Sequence, residues 1–73
     1  MPTELRVFVN ERPFSVPAGA TVADAVRLAE PALLPLLADG GAFVTDGRGI
    51  EVAPDAPLTG GAILRAQRAS RRG

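Results

Sequence analysis

Between Thr21 and Pro31 the apolar residues Val22, Ala25, Val26 and Ala29 fall at i, i+3, i+4 and i+7, while Asp24, Arg27 and Glu30 turn away. That is one face of one helix, and the other apolar runs of the 73-residue chain are shorter or alternate. A single amphipathic helix must bury its stripe on something else. Alternating runs supply that partner as a sheet, which makes the expected class α+β.

The runs fall in a definite order. Leu5, Val7 and Val9 alternate on one strand, Asn10-Glu11 is a turn, and Phe14-Ser15-Val16 returns as a second strand. Pro13 and Pro17 bracket that return and mark it as an edge, because each removes a ladder donor. Thr21 with Asp24 three residues on resembles a capping box at the start of the helix. Pro31 ends or kinks the helix. Leu33, Leu34, Leu36 and Leu37 then form a short turn closing the core, with Pro35 expected to forbid a longer regular helix. Asp39-Gly40-Gly41 is a stop and Ala42–Thr45 a third strand. Asp46-Gly47-Arg48-Gly49 is a turn, Ile50-Glu51-Val52 a short return strand, Leu58 an isolated apolar plug, and Ala62–Ala66 the last strand. Strand, strand, helix, strand, short strand, strand is the order of a β-grasp (ubiquitin-like) fold. In it a mixed sheet of four to five strands wraps one helix, and the first and last strands pair in parallel. The domain is expected over 1–67, with 68–73 as a tail.

Composition narrows the chemistry. The chain has no cysteine and no histidine, so disulfides, thiolate metal sites and the commonest neutral-pH base are excluded. With no Lys, Tyr or Trp either, only carboxylates, Ser, Thr and Arg remain for catalysis. Asp39, Asp46 and Asp55 each sit beside Gly or Pro, where turn chemistry accounts for them. The Gly40-Gly41 and Gly60-Gly61 pairs lack phosphate-cradling spacing, and residues 46–51 do not match a calcium loop. The reading is therefore no catalytic residue, no metal and no bound cofactor: not an enzyme. Neither a basic leader nor an apolar run of membrane length is present, which reads as a cytoplasmic protein without a membrane partner.

Formal charge balances at zero, yet Arg65, Arg68, Arg71 and Arg72 all follow the last acid, Asp55. Nucleic acid is the lesser reading of this basic end: the chain is neutral overall, and its three phenylalanines fit core or hairpin positions better than a stacking platform. A basic tail meeting an acidic protein surface fits better, with Arg68, Arg71 and Arg72 as docking residues.

Residues 6–26, RVFVNERPFSVPAGATVADAV, resemble the opening of the ThiS/MoaD family of ubiquitin-like sulfur carriers, and residues 46–67, DGRGIEVAPDAPLTGGAILRAQ, resemble its second half. Like that family, the chain ends on glycine after a polar tail. The resemblance implies a carrier with no catalysis of its own. A ThiF/MoeB-like adenylating enzyme would use ATP to activate the carboxylate of Gly73, and sulfur would convert it to a thiocarboxylate for a sulfur-accepting synthase. Some relatives are instead joined to lysines of a target protein. Gly73 would then be the reacting residue, and the sheet face carrying Arg6 and Phe8 the surface that partners recognise. The family ends in Gly-Gly, whereas Arg72 precedes Gly73 here. That difference implies a specialised enzyme with an acidic channel, a trimmed form of a longer chain, or an inert tail on an interaction module or accessory subunit. An RNA-binding β-grasp domain is the remaining alternative.

Overall fold

The two-residue turn Asn10-Glu11 has φ values of 52° and 70°, the doubly left-handed geometry whose twist matches antiparallel strands. In the computed structural model, which describes residues 3–69, it joins β1 (Glu4–Val9) to β2 (Arg12–Pro17). A turn of that length makes Val9–Arg12 the first hydrogen-bonded pair, and the alternation continues through Val7–Phe14 and Leu5–Val16. The Ala18 N–H donating to Thr3 carbonyl at 3.0 Å keeps the same phase. Pro13, Ser15 and Pro17 therefore face the outer edge of the sheet, where two of three residues have no N–H to offer. The edge is blunt, as the bracketing prolines predict.

Helix α1 (Val22–Ala29) follows the sequence pattern, with Val22, Ala25, Val26 and Ala29 buried. Its capping box is complete: the Asp24 N–H donates to Thr21 Oγ1 at 3.4 Å, and the Thr21 N–H donates to Asp24 Oδ2 at 3.0 Å. The other two free donors of the first turn are satisfied from a distant loop, Val22 N–H by Ala56 carbonyl and Ala23 N–H by Pro54 carbonyl. The segment of residues 53–62 is thereby tied to the start of the helix, and Leu58 within it is buried in the core.

Two expectations need correction. The leucine-rich stretch is not a mere turn: a 3₁₀ turn (Pro31–Leu33) leads into α2 (Leu34–Asp39). Pro35 lies in the first turn of α2, where no intrahelical partner awaits its missing N–H, so it permits the helix rather than forbidding it. Gly40, at φ 83°, ends the helix in the left-handed conformation. The last strand is also shifted and longer, running from Ile63 to Arg68 rather than Ala62 to Ala66. Arg68 thus belongs to the sheet, and the Ala69 N–H still donates to Gly41 carbonyl at 2.9 Å.

With β3 (Ala42–Asp46), β4 (Glu51–Val52) and β5 (Ile63–Arg68), the sheet has the order β2-β1-β5-β3-β4. It is mixed: β5 is parallel to β1 and antiparallel to β3. The molecule is thus a small α+β domain with one five-stranded sheet and two helices. Its core lies between one sheet face and α1, and the largest fully buried side chains are all valines: Val7, Val9, Val16, Val26 and Val44. β-Branched residues suit the pleated surface, and small alanines on α1 let the helix approach it closely.

Candidate functional site: the open sheet face and the end of β5

Each strand that buries alternate residues against α1 turns the others to the opposite face. On β1 these are Glu4, Arg6 and Phe8; on β5, Ile63, Arg65 and Gln67; on β3, Phe43 and Thr45. Register brings specific residues together. Phe8 pairs with Ile63, Thr45 with both Arg65 and Glu51, and Phe43 with Gln67. Ile63 is 58% exposed, the most exposed large aliphatic side chain among the described residues. It leans over Gly47, where an added Cβ would meet Ile63 Cβ at 3.5 Å.

Phe8 and Ile63 form an apolar centre with Arg6 next to it on β1 and Arg65 two residues on along β5. Arg65 makes only a loose 3.9 Å ion pair with Glu11, and both side chains are largely solvated. Beside this centre lies a depression of about 500 Å³ lined by Glu11, Phe43, Thr45, Gly47, Ile63 and Arg65, among others. Ile63, Arg65 and Glu11 are all exposed, so a partner that covers a wide surface buries more of this face than a small molecule does.

The expected site residues are therefore dispersed. Arg6 is exposed and Phe8 half-buried on the open face, as the alternation predicts. Arg68 is exposed at the end of β5, opposite Ala42. Arg71, Arg72 and Gly73 lie outside the described residues. Ile63, Arg65 and Phe43 were missed as members of the face; their signal was the alternation of β5 and β3, legible only once the register with β1 is known. Asn10 was missed too. Read as a turn residue, it also bonds to Ala66, 56 residues away in sequence.

Among the described residues no three metal-binding side chains cluster. The two carboxylates whose acidity is altered are both held low by turn and cap geometry. Asp46 accepts the Ile50 and Arg48 N–H groups, and Asp24 accepts the Thr21 N–H, so each titrates below the ordinary 3.8. A low carboxylate pKa suits an acceptor of turn hydrogen bonds and gives no proton donor at neutral pH. No helix among the described residues is long and apolar enough to cross a membrane. No family model matches the chain, and no curated protein sequence matches it.

Proposed function

We propose that this protein is a cytoplasmic ubiquitin-like carrier of the ThiS/MoaD kind, with a β-grasp body that docks partners and a C-terminal glycine that carries the chemistry. The observation that carries this reading is the place of β5. The last strand is the central strand of the sheet, paired in parallel with β1, and the sequence that runs on to Gly73 follows from its C-terminal end at Arg68. A partner seated on Phe8 and Ile63, at the start of β5, reaches the root of the tail by extending along the strand over five residues, roughly 17 Å. The body contributes recognition, and the partner enzyme contributes ATP and catalysis.

The reaction is acyl activation. A Gly73 carboxylate oxygen attacks the α-phosphorus of ATP and pyrophosphate leaves; a sulfur nucleophile supplied by the partner then attacks the acyl carbon and AMP leaves. Glycine suits the end of such a tail because it lacks Cβ and passes a narrow channel. Arg71 and Arg72 fit an enzyme whose channel is acidic.

Incubation of the protein with host extract and ATP labelled at the α-phosphate tests the reading. Label should appear on the intact chain, vanish when Gly73 is deleted, and fall at least about tenfold in Ile63→Asp, which charges the centre of the docking face. Equal labelling of the full-length and Gly73-deleted chains would overturn it.

A further inference from the structure

The β1–β5 ladder does not end where the β1 backbone turns away. The Phe8 N–H donates to Ala62 carbonyl at 2.8 Å, and the Asn10 N–H donates to Leu64 carbonyl at 3.0 Å. The next rung belongs to Ala66, but at Asn10 the main chain has already entered the left-handed turn. The Asn10 side chain takes that rung instead. Its Oδ1 accepts the Ala66 N–H at 3.0 Å, and its Nδ2 donates to Ala66 carbonyl at 3.2 Å. A carboxamide is chemically a peptide group, so it can both give and receive as a strand residue would. Asn is also among the few non-glycine residues that tolerate a left-handed φ.

A second set of contacts joins the same turn to α1. The same Nδ2 lies 3.5 Å from Glu30 Oε2, and Arg12 Nη2 donates to that oxygen at 3.3 Å and to Ala29 carbonyl at 2.9 Å. The hairpin turn is thus clamped to the C-terminus of α1, where a guanidinium also complements the helix dipole.

We infer that Asn10 is a positioning residue for the C-terminal segment. By holding Ala66 on the β1 side while Phe43 of β3 pairs with Gln67 and Gly41 carbonyl accepts from Ala69 on the other, it fixes the part of β5 from which the tail follows. This rests on the carrier reading above, and adds that delivery of Gly73 to the activating enzyme depends on a side chain in the β1–β2 turn. Replacement by Asp keeps size and turn preference but puts carboxylate oxygen against Ala66 carbonyl and Glu30. Replacement by Gly keeps the turn and removes the pin.

Two measurements separate the pin from its use. In amide exchange, Asn10→Gly should speed exchange at Ala66 by roughly tenfold while Phe8 and Val44 stay within about twofold of wild type. In the native host, the thiocarboxylate fraction of Asn10→Gly and Asn10→Asp should fall by about fivefold or more. Arg12→Ala, which loosens the clamp but leaves the Ala66 pair, should match wild type. Unchanged exchange at Ala66 overturns the pin. Faster exchange with an undiminished thiocarboxylate fraction, or an equal loss in Arg12→Ala, overturns the positioning role. A wild-type protein that carries no thiocarboxylate overturns the carrier reading itself, and that result stands apart from the exchange data.

Discussion

Asp24 and Asp46 show how much work single carboxylates do in a chain with no histidine and no cysteine. Each accepts backbone N–H bonds only in the folded state, so each titrates lower when folded than when unfolded. The folded state then binds fewer protons near the transition, and the stabilisation is complete above the ordinary value of 3.8 and lost as pH falls below it. Urea melts across a pH series should show a plateau from about pH 5 to 8, because the chain has no histidine or cysteine, and a loss of stability on the acid side. Asp24→Asn and Asp46→Asn should each flatten part of the acid limb. A slope within the plateau would mean that a group other than these controls stability. Both roles were legible in the sequence, since Thr21-x-x-Asp24 and Asp46-Gly47 are local signals. The rung that Asn10 supplies to Ala66 was not, because it spans 56 residues and only the fold brings the two together.

At the scale of elements the same division holds. Period 3.6 in Val22–Ala29 and period 2 in Leu5–Val9 named their elements and core faces directly, since both report burial by one-sided contact. Pro35 misled because its meaning depends on position: within a helix interior it breaks the ladder, and in the first turn it does not. The C-terminal bound of β5 was missed because Gln67 and Arg68 have no apolar pattern to announce them. The β3 backbone keeps them in the sheet. Packing of α1 on the sheet is the element-level interaction that the fold can least lose. Val26 is fully buried, so Val26→Ala removes two methyl groups from the packed core. It should cost about 2 kcal/mol, or a Tm lower by roughly 10 °C, in thermal unfolding followed by circular dichroism. A loss under about 0.5 kcal/mol would place the core elsewhere.

The whole molecule divides its charge unevenly. Residues 3–69 hold six arginines against eight carboxylates, a formal −2, and the two remaining arginines are Arg71 and Arg72. On the carrier reading proposed above, acidic groups of a partner would meet Arg71 and Arg72, and apolar groups would meet Phe8 and Ile63. The prolines blunt the β2 edge and β4 at the other edge is only two residues long, which leaves the open face as the natural place for contact. The central claim is that chemistry sits on the Gly73 carboxylate, and intact mass of the protein purified from its native host tests it most directly. The account predicts a species about 16 Da heavier than the carboxylate form, sulfur replacing oxygen, with the added mass on Gly73 in fragment spectra. A protein found only with a free carboxylate under every growth condition, with no thiocarboxylate, adenylate or conjugate, would contradict it.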